Sequence, residues 1–384
     1  MLKKLLCAVL SVILLCAFGF RAAAEEDGSV NDAVGLAAPS ALLMDYNTGN
    51  VLYEKNSHER RPCASITKVM TMCLVFEAIE SGSLSYGSVV TVSPIAAAQG
   101  GSDIWLVEGE QMTVDDLLKA VAVVSANDAA TALAEVVAGT EDAFVAQMNE
   151  KAKSLGMNDT VFKNCNGLDE DGHLTSAYDV ALMSRELMKH EKVFEYVSIW
   201  LDYIRDGATQ LVNTNRLLKS YDGITGLKTG TTSLAGACIS ATADRGEVSL
   251  IAVILGDKTT DERFSDAAKL LDYGFVNFCS YTPILPDDLP QSIVVSNGMQ
   301  ESVDVSCAPN GSFLLKKGVE ESVETVLKLP DELQAPVKMG ERVGQVIYKC
   351  GGEILGEYPV AAACDVKAIN VKDVFMLLLH SFIA

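Results

Sequence analysis

A serine and a lysine three residues apart, Ser65 and Lys68, are the residues of this chain best suited to chemistry. On a helix, this offset puts the hydroxyl and the amine on one face, about a turn apart. A serine at a helix start also lies near unpaired backbone N–H groups and the positive end of the helix dipole, which favour an oxyanion. Burial disfavours a charged lysine, and a neutral amine can accept the hydroxyl proton. The pair indicates a serine nucleophile, although an ordinary helix start with a solvated lysine shows the same pattern.

Two further motifs supply groups that this pair lacks. Ser125-Ala126-Asn127 interrupts two apolar helical runs, where a hydroxyl can relay a proton and an amide can orient a lysine or hold a substrate carbonyl. Lys228-Thr229-Gly230 lies on a predicted strand. Its lysine and threonine suit a substrate carboxylate, and its glycine permits a close approach of the substrate backbone. In isolation, Ser125-Ala126-Asn127 also fits the cap of the next helix, and Lys228-Thr229-Gly230 also fits the end of a surface strand.

The order S-x-x-K, S-x-N, K-T-G is the active-site set of penicillin-recognising serine enzymes. On these motifs the chain resembles the low-molecular-mass D-alanyl-D-alanine carboxypeptidases, the S11 peptidases, from about Ser40 to Ala363. The resemblance implies an enzyme that removes the terminal D-alanine from peptidoglycan stem peptides through an acyl-enzyme. It also implies covalent inhibition by β-lactam antibiotics and a part in peptidoglycan biosynthesis and remodelling. No cofactor or metal is expected.

The resemblance also implies a role for each residue of the nucleophile's side of the site. Ser65 forms the acyl-enzyme and Lys68 accepts its proton. Ser125 relays the proton, and Asn127 binds the acyl-side backbone of the substrate. Which group deprotonates Ser65 stays open.

On the other side of the site, Lys228 and Thr229 are expected to face the terminal carboxylate of the substrate, next to Gly230. The backbone N–H groups of Ser65 and Thr231 would form the oxyanion hole.

The sequence departs from the family pattern near these residues. Cys63 stands where such enzymes commonly have proline, two residues before the nucleophile. Some relatives carry a basic residue for the carboxylate near the strand predicted at 248–254, where this chain has Ser249. Recognition of the carboxylate is therefore expected to rest more on Lys228, Thr229 and Thr231.

The periodicity of apolar residues predicts the elements that position the motifs. Two strands come early and three come late, with helices between them, which favours an α+β fold with one antiparallel sheet. The resemblance makes this a five-stranded penicillin-binding/β-lactamase-like domain flanked by helices. The predicted strands cover about 41–44, 51–53, 226–231, 237–241 and 248–254, and the predicted helices 65–80, 113–124, 128–137, 141–155, 176–190 and 261–273. Short alternating stretches and Gly-rich turns after Pro283 predict a separate all-β domain.

The two ends of the chain indicate export and membrane association. Residues 1–24 have two lysines, an apolar run and Ala22-Ala23-Ala24, as in a cleaved signal peptide, with a retained anchor as the alternative. The predicted domains are then 25–282 (catalytic), 283–366 (all-β) and 367–384 (apolar tail). The apolar stretch 374–384 is too short to span a bilayer, so it either lies in the membrane interface or docks on the body. We expect an extracytoplasmic protein, at the membrane surface or secreted.

Charge and cysteine content exclude several classes of protein. Without residues 1–24 the chain has 27 basic and 51 acidic residues, a net charge of −24, which disfavours nucleic-acid binding. The eight cysteines beyond residue 24 show no metal-binding spacing and are expected to be reduced and buried, with disulfides as the alternative. The acidic turn at 169–172 lacks the ligand spacing of a calcium loop.

Three competing functions share part of this pattern. A class A β-lactamase has the same three motifs, but the stretch 160–190 lacks its E-x-x-L-N pattern. A non-catalytic binding protein would not need all three motifs. An endopeptidase that cuts crosslinks would use the same residues, and the sequence does not separate it from a carboxypeptidase.

Overall fold

The structure is a computed structural model that describes residues 34–383. The chain divides into two compact units, Met1–Leu36 and Ala37–Ala384, and only residues 34–36 of the first are described. The predicted signal peptide, residues 1–24, lies outside the described residues. Everything below concerns the second unit.

Ten α-helices occur within the described residues. In chain order they are α1 (Lys68–Glu80), α2 (Pro94–Ala97), α3 (Val114–Val123), α4 (Asn127–Ala138), α5 (Glu141–Ser154), α6 (Ala177–Leu187), α7 (Phe194–Val197), α8 (Leu217–Ser220), α9 (Thr260–Asn277) and α10 (Val371–Ile383).

Seventeen strands are described, nine of them before α9. These are β1 (Ser40–Asp45), β2 (Val51–Lys55), β3 (Val89–Thr91), β4 (Gln111–Thr113), β5 (Leu201–Ile204), β6 (Thr209–Val212), β7 (Ile224–Thr232), β8 (Gly236–Arg245) and β9 (Val248–Asp257). The later strands are β10 (Phe278–Tyr281), β11 (Ser292–Ser296), β12 (Ser302–Ser306), β13 (Phe313–Lys316), β14 (Val323–Lys328), β15 (Glu332–Gln334), β16 (Arg342–Cys350) and β17 (Glu353–Ala362).

The main sheet has five strands in the order β2-β1-β9-β8-β7, and all neighbouring pairs are antiparallel. The two early strands and the three late strands therefore meet in one sheet, which confirms the α+β prediction. The central strand β9 is buried at almost every position, because α6 and α9 both pack against it. Burial on both faces explains why its sequence reads as a continuous apolar run instead of an alternating one.

The segment that carries the nucleophile begins with one tight turn. Residues Ala64–Thr67 form a 3₁₀ helix, and α1 continues from Lys68. The sequence predicted a single helix over 65–80. Ala64 has a φ of 50°, an unusual backbone conformation for a residue with a Cβ. This turn re-aims the chain so that it enters α1 beside β7, which contacts it.

The region after α9 is built from strands, as the sequence predicted. Six of them form a sheet in the order β14-β16-β17-β12-β11-β15, in which only β11 and β15 pair in parallel. Its core is apolar and includes Ile293, Val303, Val346 and Val360. Strand β10 pairs with β13 in a separate small sheet.

The chain ends in α10, whose first turn is capped by Asn370. Large apolar side chains of this helix are exposed, among them Val371, Phe375 and Met376. No helix within residues 34–383 combines the length and the apolar character needed to cross a bilayer.

Candidate active site

The nucleophile predicted from the sequence, Ser65, lies between the edge of the main sheet and the helices. Strand β7 approaches it closely at Gly230. A Cβ at Gly230 would lie 2.7 Å from the carbonyl oxygen of Cys63 and 2.9 Å from the backbone nitrogen of Ser65. Real Cβ atoms essentially never make such contacts with backbone. The structure thus gives Gly230 a reason that the sequence did not suggest, since it lets the strand reach the turn that holds the nucleophile.

Lys68 is completely buried and donates hydrogen bonds to three oxygens. Its Nζ lies 3.0 Å from Ser65 Oγ, 2.6 Å from Asn127 Oδ1 and 2.6 Å from the carbonyl oxygen of Asn166. Burial lowers the pKa of Lys68 from its ordinary value to about 7, against a weaker opposing effect of the Asp128 carboxylate. A lysine with this pKa holds an appreciable neutral fraction at neutral pH, and its nitrogen is within reach of the serine proton.

The second motif contributes Ser125 and Asn127, which precede and begin α4. Asn127 uses its side-chain oxygen for Lys68 and donates from Nδ2 to the carbonyl oxygen of Gly100 at 2.6 Å. An amide nitrogen has two hydrogens, so one remains for a ligand. Ser125 has a φ of 65°, and its buried Oγ has no hydrogen-bond partner within the described part of the chain.

The third motif places Lys228 and Thr229 on β7, both buried. Burial, with the nearby charges of Lys68 and Arg263, holds the pKa of Lys228 well below its usual value. Lys228 Nζ donates to the carbonyl oxygen of Thr229 at 3.1 Å, and the Thr229 hydroxyl donates to Thr214 at 2.7 Å. Strand β7 packs against the Ala64–Thr67 turn and against α1, which brings the first and third motifs together.

Sequence reasoning missed Arg263, which comes from α9. Its Nη1 donates to the carbonyl oxygen of Gly230 at 2.9 Å and to the hydroxyl of Thr231 at 2.7 Å. It therefore ties down the strand segment that carries the predicted carboxylate site, and it supplies a buried positive charge there. A signal was present, since Arg263 shares a helix face with the buried Ala267 and Leu270.

Asn166 and His173 were also missed. Asn166 acts through its backbone carbonyl, so its side-chain type carried no signal. The Lys163 N–H donates to Nδ1 of His173, which leaves Nε2 protonated to donate to Thr67 at 2.8 Å, and Thr67 in turn donates to the Ala64 carbonyl. Burial lowers the pKa of His173 to about 4, so the ring is neutral at physiological pH. This chain of bonds holds the turn next to Ser65.

Cys63, the departure from the family pattern, is fully buried and contacts Thr67 across 3.5 Å. Burial raises the pKa of its thiol to about 11, so it is protonated and unreactive at neutral pH. All eight cysteines at positions 63 and beyond are free thiols.

One group of side chains among the described residues has the composition of a metal site. The ligand atoms of Cys73, Glu77 and His190 lie within 4.8 Å of one another. Lys151, however, lies 2.5 Å from Glu77 Oε1 and already neutralises that carboxylate. A cation would have to compete with this ammonium group, so these residues carry no metal assignment.

Comparisons with known proteins agree with the geometry. Residues 27–259 match the family described as D-alanyl-D-alanine carboxypeptidase, peptidase S11, and residues 278–368 match the penicillin-binding protein 5 C-terminal domain. D-alanyl-D-alanine carboxypeptidase DacF of Bacillus subtilis is 40% identical over 370 residues, which cover 95% of both chains. DacC of Escherichia coli is 35% identical over 363 residues, 91% of this chain and 90% of the relative.

Solved structures show the same likeness. Penicillin-binding protein 5 of Haemophilus influenzae superposes with a TM-score of 0.74 at 30% identity, over 86% of this chain and 98% of that one. Penicillin-binding protein D2 of Listeria monocytogenes, in its ampicillin-bound form, gives a TM-score of 0.58 at 35% identity, over 63% of this chain and 98% of that one.

These matches confirm the family and the serine carboxypeptidase activity that the motifs predicted, and the arrangement of an α+β part followed by a β part. The chain belongs to the peptidase S11 family of D-alanyl-D-alanine carboxypeptidases and carries a C-terminal domain of the penicillin-binding protein 5 type.

Proposed function

We propose that Ser65 is the nucleophile with which this carboxypeptidase removes the terminal D-alanine from stem peptides. The observation that carries the proposal is the 3.0 Å hydrogen bond between Ser65 Oγ and the buried amine of Lys68. Oγ attacks the carbonyl carbon of the last peptide bond as its proton moves to Lys68. The bond to nitrogen then breaks, D-alanine leaves after taking a proton, and water hydrolyses the resulting ester to restore Ser65.

Ser125 is the relay that returns the proton to the departing amine. Its Oγ is buried and lacks a partner among the described residues, so it is available for a bond that forms only with substrate. The second hydrogen on Nδ2 of Asn127 is the donor for the acyl-side carbonyl of the substrate.

The backbone N–H groups of Ser65 and Thr231 form the oxyanion hole. The close approach of Gly230 to the Ser65 nitrogen supports this assignment, because it brings the two chain segments together next to the reacting carbonyl. Two fixed backbone donors stabilise the charge that develops on that oxygen.

The terminal carboxylate of the substrate binds on the β7 side of the site. Lys228, Thr229 and Thr231 supply donors, and Arg263 orients Thr231 and adds positive charge behind it. In the low-dielectric interior the charge of Arg263 attracts a carboxylate more strongly than it would in water, and a bound carboxylate favours the protonated form of Lys228. β-Lactams also carry a carboxylate, and they would occupy the same site and acylate Ser65.

The test is D-alanine release from a diacylated Lys-D-Ala-D-Ala peptide by wild type and by S65A, with labelled penicillin as a second readout. We expect wild type to release D-alanine and to retain the label for many minutes, and S65A to do neither. Rapid turnover of penicillin without D-alanine release would instead identify a β-lactamase. Full activity of S65A would show that Ser65 is not the nucleophile.

We also propose export and membrane association, with a signal at 1–24, a catalytic domain at 25–282, an all-β domain at 283–366 and an anchoring tail at 367–384. The exposed apolar side chains of α10 support the tail assignment, since Phe375 is 60% exposed. A helix of thirteen residues is about 20 Å long, too short to span but sufficient to lie in the interface. Sedimentation with lipid vesicles should be lost when residues 371–384 are deleted, and continued sedimentation would refute the anchor.

A further inference from the structure

The segment from Gly100 to Leu106 forms one wall beside the second motif. The backbone nitrogen of Asn127 donates to the Ser102 carbonyl at 2.7 Å, and its side chain donates to the Gly100 carbonyl. A Cβ at Gly101 would lie 3.7 Å from the Leu168 side chain, in the loop whose Asn166 carbonyl binds Lys68. The segment therefore adjoins the proposed acyl-side subsite.

Trp105 stands out in this wall because it is 77% exposed while both neighbours, Ile104 and Leu106, are buried. Its φ is 56°, which is a genuine outlier for a bulky side chain and costs conformational energy. The described residues provide no stacking or cation–π partner for its ring. Isolated exposed apolar residues are common, so exposure alone would mean little.

The backbone around Trp105 is held from two sides. The buried carboxylate of Asp128 accepts the N–H of Ile104 at 3.1 Å and the N–H of Leu106 at 3.0 Å. Arg205 donates to the Ile104 carbonyl at 2.9 Å and is itself paired with Glu110. These bonds fix the backbone on both sides of the indole but do not involve it. Trp105 thus exposes a large aromatic ring to solvent from a segment whose backbone is held by hydrogen bonds.

We infer that Trp105 is a specificity-determining residue, which packs against the aliphatic side chain of the residue that precedes D-Ala-D-Ala in the substrate. This inference rests on the proposed function, in which Asn127 binds the acyl-side carbonyl. The side chain of the preceding residue then emerges next to Asn127. From Ser102, which is bonded to Asn127, Trp105 is three residues away, at most about 10 Å of chain. An indole face suits methylene groups, and it attracts an ammonium group at the end of such a chain.

The first test compares two peptides that differ only in that side chain, diacetyl-Lys-D-Ala-D-Ala and acetyl-Gly-D-Ala-D-Ala. In W105A, kcat/KM should fall about tenfold for the lysyl peptide and less than about twofold for the glycyl peptide. W105F should retain most of the preference for lysine. The other tryptophan of the chain provides the matched control, since W200A should leave the preference unchanged. An equal fall for both peptides, or no fall with either, would overturn the inference.

A second readout does not depend on turnover. In the double variant S65A/W200F, Trp105 is the sole tryptophan, and its emission reports directly on a ligand at the ring. We expect a saturable change on titration with the lysyl peptide and a much smaller one with the glycyl peptide. The proposed function would fail if wild type released D-alanine from neither peptide. In that case the emission titration would still test the inference: a change specific to the lysyl peptide would support it, and no change would refute it.

Discussion

Residues 37–277 bury lysine, arginine and aspartate side chains, whereas the interior of residues 278–368 is apolar. Within the described chain, all the buried polar and charged side chains lie between Ser40 and Asp266. The core of the later region consists of residues such as Ile293, Val303 and Tyr348. Burying an ionisable group costs free energy unless it is paired and hydrogen-bonded.

The difference separates two tasks. In the first region, buried polar groups are retained because they shift the protonation and orientation of the residues that react, as with Lys68. In the second region, burial of apolar surface stabilises the fold without chemistry. The comparison predicts that changes in residues 37–277 lower activity with little loss of stability. Changes in the core of residues 278–368 should lower stability and leave activity nearly unchanged.

Replacing Lys68 should have the largest effect. Lys68→Met fills similar volume but removes the proton acceptor, and we expect acylation by penicillin to slow about 10³-fold. The measurement is the rate of labelling by fluorescent penicillin, with circular dichroism as a check on folding. Lys338→Met, at an exposed position of the β region, is the control and should acylate at the wild-type rate. Acylation of the Lys68 variant within tenfold of wild type would contradict the proposed role.

Gly230→Ala should have the second-largest effect on activity. The added methyl would lie within 3 Å of two backbone atoms of the nucleophile's turn, so either β7 or the turn must move. A shift of about 1 Å at a reacting centre costs about a hundredfold in rate. The observable is again acylation, and Gly87→Ala, where the methyl meets no atom within 4 Å, serves as the control. An unchanged rate would show that the close approach is not needed.

Acidification should produce a graded loss of activity. The pKa of Lys68 is lowered to about 7, so the amine is protonated below that pH and cannot accept the Ser65 proton. Acylation should therefore rise about tenfold per pH unit below 7 and level off above it. Rates measured from pH 5 to 9 on folded protein test this expectation. A flat profile would assign proton acceptance to another group.

Ile293→Ala should have the smallest effect on activity and a clear effect on stability. This core residue of the β region should cost about 2–4 kcal/mol in the free energy of unfolding. D-alanine release below the unfolding transition should stay within about twofold of wild type. Val294→Ala, at the neighbouring exposed position, should change stability by less than about 0.5 kcal/mol. A large fall in activity of the Ile293 variant would break the separation between the two regions.

Sequence reasoning located the main sheet and the long helices, but it missed the short strands β3 to β6, the one-turn helices α2, α7 and α8, and some junctions. The prediction of a helix over 65–80 found α1 but not the 3₁₀ turn at Ala64–Thr67. Periodicity reports which face of an element is apolar, and it carries no information on a backbone turn imposed by a neighbouring strand. The turn is held by residues distant in sequence, through the contact with β7 at Gly230 and the hydrogen bonds from His173 to Thr67 and from Thr67 to Ala64.

The sequence by itself determined the family, the main sheet with its long helices, and the eight candidate site residues, because motifs and apolar periodicity are local properties of the chain. The tertiary structure alone decided what surrounds them. Three contacts join residues far apart in sequence: the Asn166 carbonyl with Lys68, the Arg263 guanidinium with Thr231, and the Asp128 carboxylate with the backbone beside Trp105. Burial depends on the assembled fold, so the lowered pKa of Lys68 depends on it too.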